Sequence, residues 1–461
     1  MTRTQVLLGI LALGLAVQVG VLQADFRASD PGVRPDPTGP PSAGLQIAGL
    51  SGPETELFNA GKKDFEELDT IASGLGPRFN LDSCAGCHSG PAIGGSSPAV
   101  NPQVKVATDF GARNIVPYFV TINGPVREAR YKSYPDGTPD GGVHALFVIS
   151  GRNDGTGDAS RCNIKQEDFE AQAQKHNVVF RIPTPVFGAG LIESIPDGAI
   201  LANLAATGNG KAQLGVRGRP NRIRVTGSAN TNGNDGTITR FGWKAQNKSL
   251  LLFAAEAYNV EQGISNELFP SERDETASCQ FVSTPNDTTN PNGTTAAETL
   301  SGPEKFAFFM RFLAPPTPST TRPGGANSVA NGKSLFLKTG CASCHTPTLY
   351  TGNASVAALR NKPVNLYSDL ALHQMGPGLA DEISQASADG DEFRTAPLWG
   401  LGQRIFFLHD GRTKDLVGAI QAHKSAASTK YQGSEANGVV DAYNQLSPAQ
   451  QQDLLNFLRS L

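Results

Sequence analysis

The sequence predicts a helical, turn-rich chain built in two unequal parts. Three observations carry this reading. The 461 residues include 51 glycines and 31 prolines, above ordinary usage of about 7% and 5%. A helix-start signal stands near the C-terminal end of the chain. The five-residue pattern C-x-x-C-H occurs twice, at 84–88 and 341–345, and a Pro/Gly-rich stretch at 314–326 separates the two copies.

The elements follow in order. Arg3 precedes an almost uncharged apolar run from Val6 to Leu22, and Leu22-Gln23-Ala24 offers a small residue for cleavage, so 1–24 reads as an export signal. An uncleaved membrane anchor is the alternative, because about 17 apolar residues is the short end of a spanning helix. Either way the remainder is expected outside the cytoplasm, periplasmic or otherwise extracytoplasmic. Residues 25–48 carry Pro31, Pro35, Pro37, Pro40 and Pro41 with few large apolar residues, the composition of a flexible tether. A helix is expected over Glu54 to Leu68 and another over Ser328 to Phe336. Thr284 to Thr295 reads as a surface loop. Near the end, Ser447 as N-cap, Pro448 at the first helical position and Gln450 closing a capping box start the clearest helix. Leu454, Leu458 and Leu461 fall on one face of it beside Phe457. The resulting division is an N-terminal part at 49–313, a linker at 314–326 and a C-terminal part at 327–461.

Composition narrows the function. With 42 acidic against 39 basic side chains and no Lys/Arg run, the chain lacks the electrostatic footprint of a nucleic-acid binder. Apolar residues at 39% suffice for a packed core and exclude wholesale disorder.

The two C-x-x-C-H patterns carry the chemistry. Cysteines three apart at a helix start can form thioethers to the two vinyl groups of one haem, with the adjoining histidine placed to bind its iron. Cys84, Cys87 and His88 would hold one haem, and Cys341, Cys344 and His345 a second. Zinc would want both cysteine pairs close together in one four-ligand site, whereas these lie 257 residues apart, each with its own histidine. Cys162 and Cys279 remain. In an oxidising compartment they are most simply a disulfide, and two separate buried thiols are the alternative.

The sixth position of each iron decides between electron transfer and chemistry at an open site. Past the leader the only methionines are Met310 and Met375. Haem 1 therefore takes a distant histidine, stays open, or uses an unusual ligand.

The segments Phe393-Arg394-Thr395-Ala396-Pro397-Leu398 and Leu408-His409-Asp410-Gly411-Arg412 resemble the signature of the bacterial dihaem cytochrome c peroxidase superfamily. Gly74 to Asn80, Gly90 to Gly95, Gly141-Gly142-Val143-His144 with Ser150-Gly151-Arg152, and Arg240 to Ala245 are similar to its branch of dihaem oxidoreductases, which includes thiol oxidoreductase-like proteins. The resemblance runs from about Gly49 to Leu461. It implies a mainly α fold of two cytochrome c-like haem domains with long loops and a large insertion in the first, with a calcium ion between them. It also implies an oxidoreductase that reduces hydrogen peroxide at haem 1 with electrons entering through haem 2. The donor would be a small soluble c-type cytochrome or cupredoxin-like protein. A dihaem oxygenase, a protein-modifying enzyme and a non-enzymatic electron carrier are the alternatives.

Residue by residue, the resemblance implies further roles. The ligand of the C-terminal haem lies fourteen residues past the HDG histidine, which here is His423, with Met375 as fallback. Ser89 to Asn101 contains no His or Met, so haem 1 is expected either open, as in the related maturase and rubber-oxygenase branches, or capped by His144. Glu193, after the run Arg181 to Gly188, is the expected proton-moving acid. Trp243 is an electron relay between the haems or a core tryptophan. Thr395 and Pro397 match the calcium-binding carbonyl positions, with Asn101 as third ligand. His176 is expected solvated, His373 near a haem pocket, and His409 ordering a propionate or backbone.

Overall fold

The computed structural model describes residues 27–34, 43–109, 114–141, 149–151, 162, 164–206, 210–222, 237–271 and 276–461. The export signal and His144 lie outside these. Helices dominate, and the sheet among the described residues is confined to five two-stranded antiparallel pairs.

One motif is built twice. The first helix, Gly52–Phe65, starts on a capping box between Ser51 and Glu54, with Pro53 in its first turn and Lys62 and Lys63 in its last. It packs across the helix Gly302–Phe312, which has its own capping box from Ser301 and Glu304. In the C-terminal part the helix Ala326–Lys338 packs across Pro448–Ser460, capped by Ser447 and Gln450 as expected. Each crossing depends on one glycine. A Cβ on Gly61 would collide with the Lys305 carbonyl, and a Cβ on Gly332 with the Asp453 carbonyl. In each pair a phenylalanine stacks against the partner helix, with Phe65 4.8 Å from Phe309 and Phe336 5.4 Å from Phe457. The same two phenylalanines reach the histidines of the C-x-x-C-H segments, at 5.9 Å from His88 and 6.4 Å from His345.

The core does not divide where the sequence suggests. The largest apolar cluster joins Phe187, Ile195, Leu250 and Phe309 to Leu349, Leu359, Leu366, Leu370 and Trp399, from beyond 314–326. A second cluster is built from the C-terminal helices. A third surrounds the paired strands Glu128–Tyr131 and Val178–Arg181, which put Phe119, Phe169 and Phe180 together.

Residues 27–34 depart from the expected free tether. Asp30 accepts two hydrogen bonds from the buried Arg459 guanidinium at 2.7 and 2.6 Å and a third from the Leu416 N–H at 2.8 Å. A fixed bidentate pair at a buried arginine outweighs the disorder that the proline content favours. Cys162 and Cys279 form a disulfide across 117 residues of chain. No helix among the described residues is long and apolar enough to cross a membrane.

Gly332→Ala is expected to cost about 1–3 kcal/mol through overpacking at the helix crossing. Gly52→Ala, where a Cβ meets open space in the first helical turn, should change stability by less than about 0.5 kcal/mol. Denaturant unfolding of the two variants checks this, and equal effects would refute the crossing argument.

Candidate functional site

The two C-x-x-C-H segments each open into an internal cavity. Cys84–Cys87 form a single helical turn, and His88 follows as its cap. The His88 ring places Nδ1 2.9 Å from the Gly95 carbonyl. In the second segment His345 Nδ1 lies 3.0 Å from the Tyr367 carbonyl. Burial pulls both imidazoles down to about 4. They are therefore neutral near pH 7, which is the form that binds iron.

The C-terminal cavity is lined by Cys341, Cys344, His345, Met375, His409 and His423 among mostly apolar neighbours. His423 caps the helix Leu416–Ala422, with Nδ1 2.7 Å from the Ala419 carbonyl. His345 and His423 thus line one cavity together with His373 and His409, and His345 and His423 each have Nδ1 engaged by a backbone carbonyl. Arg394 and Arg404 line the same space, and neither has a carboxylate partner among the described residues. Burial lowers both guanidiniums to about 10. Two buried cations facing an apolar slot fit a flat ligand that carries its own carboxylates, as haem does.

The N-terminal cavity differs in its polar groups. Among the described residues His88 is the one histidine in its lining, joined by Met310, Arg127, Arg130, Arg181 and three glutamates, Glu128, Glu256 and Glu261. Glu128 and Glu261 share a hydrogen bond. Burial opposes charge on Glu128, but its ion pair with Arg130 holds it down to about 2. Burial and the neighbouring Glu128 charge push Glu261 well above the carboxylate range. Asn80 Nδ2 donates to Glu261 Oε2 at 2.8 Å. Of the two neighbouring carboxyls, Glu128 is thus shifted toward the ionised form and Glu261 toward the protonated one.

Trp243 lines both cavities. Its indole N–H donates to the Ile182 carbonyl at 2.8 Å, and its ring lies 6.4 Å from His409. His409 stacks on Phe393 at 4.3 Å. Gly242 and Ala245 bound the tryptophan with φ of 84° and 50°, a tight turn that holds it at the seam.

A scan of protein families matches residues 127–461 to the family described as "Di-haem oxidoreductase, putative peroxidase". The chain belongs to that family. Two haems are accordingly its cofactors, and the two cavities are where its residues fit them. No curated protein matches the chain significantly. Among solved structures it is similar to the dihaem peroxidase BthA from Burkholderia thailandensis, at 12% identity over 49% of this chain and 66% of that one, with a TM-score of 0.29. A MauG-like protein associated with microbial copper homeostasis is 15% identical over 53% of this chain and 78% of that one, TM-score 0.28. Hydrazine synthase from Kuenenia stuttgartiensis is 17% identical over 36% of this chain, TM-score 0.23, and the chain spans 56% of that protein's length.

Several expected site residues fall elsewhere. Glu193 does not line the N-terminal cavity. Its carboxylate accepts from the Leu250 N–H and the Arg311 guanidinium, both at 2.8 Å, so it caps the helix Leu250–Gln262 and closes a buried ion pair. Glu261, from that same helix, lies in the cavity instead. The signal that points to it is the stripe Ala254, Ala257, Tyr258, Glu261 and Gln262, at helical spacing, all of which line the cavity. Two of the three expected calcium ligands have other hydrogen-bond partners. The Thr395 carbonyl accepts from the Ser368 hydroxyl at 2.6 Å and from Arg394 at 3.4 Å. Asn101 is occupied by the Pro125 carbonyl and the Gln103 N–H. Among the described residues no group of three or more Asp, Glu, His or Cys side chains could hold a metal ion. His373 lines the C-terminal cavity, held between Asp369 at 3.0 Å and Glu435 at 2.8 Å. His176 is exposed.

Near the N-terminal cavity Arg181 pairs with Asp381, and burial of that carboxylate is overcome by Arg181 and Lys244, which hold it at about 2. For Asp381 and Glu128 the folded pKa lies below the unfolded value of about 4. Their stabilisation is thus complete above about pH 4 and is lost as pH falls through 2. Asp381→Asn should flatten the acid arm of the stability profile over that range. An unchanged slope in acid titration of the unfolding midpoint would contradict it.

Proposed function

We propose that the protein is an extracytoplasmic dihaem c-type oxidoreductase that reduces hydrogen peroxide at the haem of the N-terminal cavity. In this reading the haems are attached through Cys84 and Cys87 and through Cys341 and Cys344, one by each of the two cytochrome c-like segments, 49–313 and 327–461, which share a core across 314–326. His88 and His345 each bind one iron, and His423 is the second ligand in the C-terminal cavity.

The asymmetry of the two cavities carries the proposal. Two facing histidines suit an iron that only passes electrons. One histidine among the described residues, sharing its cavity with paired glutamates and arginines, suits an iron at which a proton-coupled reaction runs. Each bound haem supplies a centre that exchanges one electron at a time. The net reaction takes one H2O2, two electrons and two protons to two waters.

The chain's own groups manage protons and position. Glu261, raised well above the carboxylate range by burial and the Glu128 charge, is oriented by Asn80 and is the group that would deliver a proton to the outer oxygen as the O–O bond breaks. Glu128, kept ionised by Arg130, is the hydrogen-bond partner whose charge favours keeping the proton on Glu261. Trp243, shared by both cavities, is the relay between them. The electrons come from a small soluble c-type cytochrome or cupredoxin-like donor in the periplasm, where the export signal delivers the chain.

Met310 favours a second reading. It lines the N-terminal cavity, and a thioether on that iron would make both haems six-coordinate and the protein an electron carrier. A high-spin ferric signal in the purified protein supports the enzyme, and low-spin haems in every redox state support the carrier.

Glu261→Gln should lower the rate of peroxide-driven oxidation of reduced cytochrome c by about 10²–10⁴-fold, with haem content unchanged. A variant as active as the wild type removes Glu261 from the reaction. His423→Ala should convert the C-terminal haem to high spin. If it stays low-spin and unshifted, Met375 is the ligand.

A further inference from the structure

The loop that carries Trp243 is fastened by one fully buried cation. Lys244 has no exposed surface. Its Nζ lies 3.0 Å from Asp381 Oδ1 and donates to the carbonyls of Asp389 at 2.8 Å, Glu392 at 3.0 Å and Gly390 at 3.3 Å. The Phe393 ring closes the cage at 4.1 Å. Three N–H donors among four oxygens satisfy an ammonium completely. The cage joins sequence-distant segments. Asp381 is also gripped by Arg181, at 2.7 and 3.2 Å to Oδ2, and Arg181 precedes Ile182, whose carbonyl holds the Trp243 indole. On the other side Arg394 donates through its N–H to the Trp243 carbonyl and through Nε to the Gly242 carbonyl, both at 2.9 Å.

We propose that Lys244 is the positioning residue that registers Trp243 between the two haem cavities, and that its ammonium fills the place in the seam that a bound divalent cation would otherwise take. An oxygen cage of one carboxylate and three carbonyls is the chemistry of a calcium site. With Nζ at its centre and Arg181 on the same carboxylate, a second cation would meet two positive charges. The other charged groups facing the cage are Asp389, Asp391 and Glu392, and Glu392 is paired with Arg219. The inference rests on the reading of Trp243 as the relay, along which one electron leaves the C-terminal haem and one arrives at the N-terminal haem.

The test uses the holoprotein. After photochemical reduction of the C-terminal haem, the appearance of the electron at the N-terminal haem is timed in wild type, in wild type stripped with excess EGTA, and in Lys244→Met. Hydrogen exchange of the peptides covering 238–250 and 386–396 is measured beside it. The expected result is that EGTA and added calcium each change the wild-type rate by less than twofold. Lys244→Met should slow transfer at least tenfold and speed exchange at least tenfold in those two segments, while the helices 302–312 and 448–460 keep their protection and both haem spectra are retained. Transfer that collapses on chelation and returns with calcium overturns the proposal, as does a Lys244→Met protein with wild-type rate and exchange. Should Lys244→Met fail to fold, Lys244→Gln, which keeps two N–H donors and loses the charge, takes its place with the same expected direction. A wild type without transfer between the haems defeats the relay reading, and the exchange measurement then decides the clamp by itself.

Discussion

The carboxylate of Asp381 is the point on which the two halves of the site depend. It is wholly buried, and it meets Arg181 with one oxygen and Lys244 with the other. Arg181 belongs to the strand Val178–Arg181, paired with the strand that carries Glu128. Lys244 belongs to the turn that carries Trp243, and Asp381 to the chain beyond the second C-x-x-C-H segment. Charges held in low dielectric are costly unless every partner is in place. The triad therefore couples the acid pair of one cavity, the tryptophan at the seam and the wall of the other cavity into one geometric unit. Removing any one member leaves the other charges buried and mismatched.

Around this seam the chain uses one solution twice. A capped helix, a glycine at the crossing and a phenylalanine turned toward a cavity histidine recur as Gly61 with Phe65 and as Gly332 with Phe336. A glycine crossing lets the two backbones approach closely, which brings the phenylalanine to the histidine ring. The repeated frame is nevertheless not self-contained. Leu349, Leu366 and Trp399 pack into the same cluster as Phe187 and Phe309, so the proline-rich linker separates segments of sequence without separating cores.

What the sequence made legible follows from the range of the interactions involved. Ser447 with Gln450 and Ser51 with Glu54 are local, within one helical turn, and both capping boxes form. Ser301 with Glu304 carries the same signal ahead of Pro303, and that helix was equally readable. The C-x-x-C-H segments are local too, and each reaches a cavity. Glu193 misled because an apolar neighbourhood says that a carboxylate is buried and not which partner it meets. Its partners, Arg311 and the Leu250 N–H, lie 118 and 57 residues away. Residues 27–34 misled for a related reason, since proline content describes the free chain, and one distant arginine, Arg459, suffices to hold it.

The placement of the acid in the N-terminal cavity has a physical logic that the displaced Glu193 clarifies. The Glu193 carboxylate has its oxygens committed to the Leu250 N–H and the Arg311 guanidinium, away from the cavity. Glu261 is treated the opposite way. The guanidinium paired with Glu128 is Arg130, and Asn80 gives Glu261 a neutral donor. The charge on Glu128 then works against a second charge beside it, as for any two carboxyls forced together out of water. Two glutamates so close can share one negative charge at neutral pH, and the arginine decides which of them carries it. The proton is left on the member whose helix, Leu250–Gln262, also supplies Ala254, Ala257 and Tyr258 to the cavity wall.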